Sequence, residues 1–69
     1  MKTLSGKQFA KILEGHGWSL MRTHGSHFIY GKDGSINRLS VPVHGNKSLK
    51  KGLLRHLMKI AELDDSDLQ

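Results

Sequence analysis

The sequence predicts an α+β domain in which a three-stranded antiparallel sheet has one face covered by two helices, in the order α-β-β-β-α. Two observations carry this. Apolar residues recur at helical spacing near both ends of the chain, and between them the period changes to alternation, broken by glycine-bearing turns. With 69 residues there is room for one core, so residues 1–69 read as one domain.

The first helix is expected from about Gly6 to His16. Ser5 followed by Gln8 matches a capping box, and Phe9, Ile12, Leu13 and His16 recur on one side. Gly15 and Gly17 supply the stop, Gly17 being the better left-handed cap. Three strands follow, roughly Trp18–Thr23, Ser26–Gly31 and Ile36–Val43. Asp33-Gly34 is a hairpin signal, and Thr23-His24-Gly25 suits a three-residue loop. With these turns Trp18, Leu20, Phe28, Tyr30, Leu39 and Val41 share the core face, while Ser19, Met21, His27, Ile29, Arg38 and Ser40 share the other. Because side chains alternate, a slip of one residue would carry His27 into the core. Pro42 marks a strand end or an edge. Ser48 is the expected cap of a second helix that holds Leu49, Leu53, Leu54, Leu57, Met58 and Ala61, and the acidic residues after Leu63 form a last turn or a solvated tail.

Charge narrows the function. All 11 Lys and Arg precede residue 62, while four of the six acids lie in the last eight positions. The chain up to Ala61 therefore carries +9, which suits a polyanionic partner such as a nucleic acid. No cysteine is present, which excludes disulfides, thiolate zinc sites and a cysteine nucleophile and fits a reducing cytoplasm. No signal peptide or membrane span is expected, so no membrane partner is. His24, His27 and His44 offer three nitrogens, but the few acids are mostly confined to the tail and supply no paired-carboxylate site for Mg²⁺, so neither a metal nor another cofactor is expected.

Gly25-Ser26-His27 on the second strand, Val41-Pro42 with His44 after the third, and a Lys-rich opening to the last helix resemble the HicA toxins. The resemblance runs from the first helix to about Leu68. It implies a double-stranded-RNA-binding-domain-like fold, cleavage of messenger RNA through the histidine of Gly-Ser-His, and a HicB-type antitoxin partner. His27 occupies the matching position. Phe28 stands where many members carry another histidine, and His24 is an additional one.

On this reading His27 is the candidate catalytic residue. RNA supplies its own nucleophile, the 2′-hydroxyl, and an imidazole is suited to remove that proton at neutral pH. Arg38 or a lysine of the second helix would balance charge on the phosphate. Gly25 and Ser26 would let the RNA backbone come close. His44 precedes the N-terminus of the second helix, where free N–H groups favour phosphate, although it is equally readable as a plain loop residue. Lys47, Lys50, Lys51, Arg55 and Lys59 are the remaining RNA-contact candidates, the last three forming a stripe at i, i+4 spacing. The alternative is a non-catalytic RNA-binding module of the same fold. A protein-interaction domain would leave the basic body unexplained.

Overall fold

The computed structural model describes residues 3–68 and has the predicted order: α1 (Gly6–Gly15), β1 (Trp18–His24), β2 (His27–Lys32), β3 (Arg38–Pro42) and α2 (Lys51–Ala61), followed by a short 3₁₀ turn (Asp65–Leu68). The three strands form one antiparallel sheet in the order β1-β2-β3. Both helices lie on the same face, where Phe9 and Leu13 of α1 and Leu54, Leu57 and Met58 of α2 bury Trp18, Tyr30, Leu39 and Val41. The opposite face has no covering element among the described residues.

α1 starts as its sequence dictates. The Ser5 hydroxyl accepts the Gln8 N–H, and the Gln8 side chain accepts the Ser5 N–H, so two of the free donors of the first turn are satisfied. The helix ends at Gly15, with Gly17 beyond it at φ 92. Gly6 has a packing role. Its Cα lies against the Pro42 carbonyl, and a β-carbon there would collide with that oxygen. The first turn of α1 thus presses on the backbone at the end of β3.

α2 departs from expectation at its start. Ser48 is not the cap: it pairs with Ser5 in an isolated bridge, and the Leu49 N–H donates to the Leu4 carbonyl at 2.7 Å. This pairing buries Leu4 and Leu49, and it holds Ser48 away from the helix, which begins only at Lys51 with no side-chain cap. The acidic tail forms a last turn, and Leu68 there is buried in the core.

Three features of the sheet also differ from the expected pattern. The β1–β2 connection is a two-residue turn, Gly25-Ser26, so His24 belongs to β1 and faces His27 directly. Gly25 has φ 61 while Ser26 does not have a positive φ, as in the hairpin turn that takes glycine first. β3 starts at Arg38 rather than Ile36, which follows the Lys32–Ser35 turn and is 97% exposed. The third feature is a β-bulge between Leu20 and Arg22, which leaves Met21 as an extra residue. Before the bulge Leu20 pairs with Tyr30 on the helix side, yet at the edge of the sheet it is 45% exposed rather than core.

Candidate active site

The uncovered face of the sheet is built in rows. Phe28 and Tyr30 point toward the helices, so His27, Ile29 and Gly31 of β2 point outward. Their partners on β3 are Pro42, Ser40 and Arg38, and directly opposed residues present their side chains on the same side. His27 is exposed, and its Nδ1 lies 3.2 Å from the Ser40 hydroxyl oxygen. Hydrogen-bonding one ring nitrogen restricts the orientation of the ring and leaves Nε2 as the nitrogen available to a substrate.

On β1 the bulge decides what joins this face. Strict alternation from Trp18 would send Arg22 and His24 toward the helices. The extra residue at Met21 shifts the phase, so Arg22 pairs with Ile29 and His24 with His27, both on the open side. Met21 itself lies over Gly31, where its Sδ and the Arg38 Nε occupy the space a side chain at residue 31 would need. The outermost row is therefore His24, His27 and Pro42, and the next is Arg22, Ile29 and Ser40.

The structure brings some of the candidate residues together and separates others. Gly25 and Ser26 form the turn beside His27, and the Ser26 carbonyl accepts the Val43 N–H at 2.8 Å, which ties the turn to the end of β3. Arg38 is not beside His27. It stands opposite Gly31, four residues from Pro42 or about 13 Å along the strand. Its guanidinium donates to the carbonyls of Ser35 and Asn37, away from the histidine. Arg22 is the guanidinium one row from His27. Nothing in the local sequence marks a bulge at Met21, so Arg22 was not legible as a member of this face.

His44, Lys47 and Lys50 line a groove of ≈ 210 Å³ together with Pro42, Ser48, Leu49 and Leu53. Pro42 is the partner of His27, so this groove starts at the histidine end of the sheet and runs to the start of α2. The first turn of α2 holds no acid, and no side chain caps it. Lys51, Arg55 and Lys59 are exposed on α2, as the spacing implied. Arg55 and Lys59, however, share a second groove with Asp64 and Asp65, so acids of the tail lie beside the C-terminal half of the stripe. The groove lined by Lys47 and Lys50 has no acid in its lining. Among the described residues no three His, Asp or Glu side chains come together as a metal-holding group, and no helix is long and apolar enough to cross a membrane.

The fold and this face define a small basic α+β domain that presents two imidazoles and a guanidinium on an uncovered antiparallel sheet. The family model of the HicA toxin of bacterial toxin–antitoxin systems matches residues 6–63, well over half of the chain. The chain belongs to that family. No curated protein matches it.

Proposed function

We propose that this toxin is an endoribonuclease that cleaves messenger RNA with His27 as general base, and that a HicB-type antitoxin neutralises it. The observation that carries the reading is the His27 imidazole on the open sheet face, oriented by Ser40 and flanked by a glycine turn. RNA contains its nucleophile, so the protein has to remove the 2′-hydroxyl proton, stabilise the crowded phosphate and hold the strand. His27 performs the first task through Nε2. Arg22, in the adjacent row, performs the second. His44, Lys47 and Lys50 perform the third along the groove from Pro42 to α2, with Lys51 exposed at the start of that helix. The exposed Gly25 turn leaves room for a sugar-phosphate backbone at the histidine.

The chemistry drawn above needs no metal, and among the described residues no three His, Asp or Glu side chains are grouped to hold one. Product end groups test it. Attack by the 2′-hydroxyl leaves a 2′,3′-cyclic phosphate, or the 3′-phosphate formed from it, and a 5′-hydroxyl. Activity then persists in excess EDTA, and RNA with a 2′-O-methyl sugar just 5′ to the cut resists cleavage. A 5′-phosphate product, with activity lost in EDTA, would mean that an activated water attacks instead. Purified protein that binds RNA without cutting it would leave the non-catalytic RNA-binding module.

A further inference from the structure

We propose that His24 is a second catalytic residue, the general acid that protonates the leaving 5′-oxygen when RNA is cut; this rests on the ribonuclease reading above. Three features of the structure converge on it. The bulge at Met21 reverses the phase of β1, so His24 emerges on the open face and not under the helices. The two-residue Gly25-Ser26 turn makes His24 the direct cross-strand partner of His27, and opposed β-carbons in such a pair lie about 4.5–5.5 Å apart. Ser40 then holds the His27 ring from β3, the strand on the far side of His27 from His24. One imidazole is tethered on the β3 side, and the other stands across from it on β1, both exposed.

This arrangement matches what transesterification requires. The attacking 2′-oxygen and the departing 5′-oxygen lie on opposite sides of phosphorus, so two groups must flank one phosphate. The 2′-oxygen forms its bond to phosphorus as its proton passes to neutral His27. The bond from phosphorus to the 5′-oxygen breaks as protonated His24 gives its proton to that oxygen. The products are a 2′,3′-cyclic phosphate and a 5′-hydroxyl, and the two imidazoles have exchanged protonation states, which solvent resets. Arg22 in the neighbouring row carries the charge on the non-bridging oxygens. A bulge placed here re-aims two side chains, Arg22 and His24, onto the same phosphate.

A leaving-group substitution tests the assignment. RNA with a 5′-bridging sulfur at the cut releases a thiolate, which needs no proton in the transition state. His24→Ala and His24→Gln are expected to cut ordinary RNA about 10²–10⁴-fold more slowly than wild type and the sulfur-bridged RNA at close to the wild-type rate. His27→Ala is expected to be slow on both. The recovered rate on the sulfur substrate also shows that the His24 variants are folded and bind RNA. Wild-type rates on ordinary RNA, or an equal loss on both substrates, would overturn the role of His24 while leaving the ribonuclease reading in place. Wild-type protein that cuts neither substrate would overturn both.

Discussion

The His27 Nδ1 and the Ser40 Oγ stand 3.2 Å apart across β2 and β3, on the face of the sheet that neither helix covers. Both residues are exposed, so the contact contributes little to stability. Its effect is on the direction of the ring. The two residues are diagonal neighbours rather than a directly opposed pair, because His27 is opposite Pro42 and Ser40 opposite Ile29. The imidazole therefore lies along the strand toward the Arg22 row. His27→Ala is expected to abolish RNA cleavage, a loss of at least about 10²-fold, with the fold and most RNA affinity retained. Ser40→Ala removes the hydrogen bond that directs the ring and is expected to slow cleavage roughly fivefold. Circular dichroism and single-turnover cleavage of the two variants check this. Full activity in His27→Ala would remove the assignment.

Arg22 and Arg38 form a second comparison. The bulge puts Arg22 opposite Ile29, and Arg38 is opposite Gly31 with its guanidinium engaged by the carbonyls of the preceding turn. Stabilising charge on a phosphate requires a donor within reach of it. Arg22→Gln is expected to lower the cleavage rate roughly 10²-fold, and Arg38→Gln to produce the smaller loss of the two. The reverse ranking would show that the phosphate lies toward the Arg38 end of the sheet.

This pair also shows where the sequence was legible and where it was not. Helical and alternating periods report burial, and they located Tyr30, Leu39, Val41 and the outward position of His27, because the helices impose burial on one face. The Ser5–Gln8 capping box is a local motif and formed as written. The two-residue Gly25-Ser26 turn is a local glycine-first signal that competes with a three-residue reading of Thr23-His24-Gly25, but the bulge at Met21 and the pairing of Ser48 with Ser5 are long-range outcomes. Each trades a local preference for a contact with residues distant in the chain. Ser48 is a good cap by propensity, but burying Leu4 and Leu49 outweighs one capping bond. The phase of β1 beyond residue 20 depends on how Met21 and Gly31 pack, which periodicity does not encode.

The basic surface is expected to act unevenly. Lys47 and Lys50 line a groove at the histidine end of the molecule that has no acid in its lining, and Lys51 follows Lys50 at the start of α2, while Arg55 and Lys59 share their groove with Asp64 and Asp65. Each phosphate contact releases counterions, with a slope of about 0.7 per contact for single strands. Replacing Lys47, Lys50 and Lys51 together by Gln is expected to flatten the dependence of log affinity on log salt by roughly 2 units. Replacing Arg55 and Lys59 is expected to change it less. Equal changes, or none in the lysine variant, would place the RNA elsewhere on the surface.

Gly6 connects stability to the site. A β-carbon at this position would meet the Pro42 carbonyl, on the backbone directly opposite His27. Gly6→Ala forces α1 and the end of β3 apart and is expected to destabilise the fold by about 1–3 kcal/mol, read as a lower denaturant midpoint. The gain in intrinsic helix propensity from alanine, about 1 kcal/mol, works against this and does not cancel a backbone collision. A more stable Gly6→Ala would show that the two elements separate without cost.

The last expectation concerns Tyr30, the one tyrosine of the chain. Its ring is buried and its hydroxyl donates to Glu14 Oε2 at 2.8 Å, joining the centre of the sheet to the end of α1. Burial, then the bond to Glu14 and its negative charge, push the phenol up to about 12 from the ordinary value of 10.0. Below the ordinary value both the folded and the unfolded chain keep this proton, and the contribution to stability is complete. As pH rises through 10 toward 12 the unfolded chain releases the proton while the folded chain holds it, so folding must take a proton up and stability falls. Lysine and arginine residues also titrate at high pH, so the measurement is a difference. The denaturant midpoint of the wild type is expected to fall more steeply over this window than that of Tyr30→Phe, which keeps the ring and has no proton to lose. Near-ultraviolet titration of the folded protein reads the same group directly, and tyrosinate formed at the ordinary value would show that Glu14 and the core leave the phenol free to ionise.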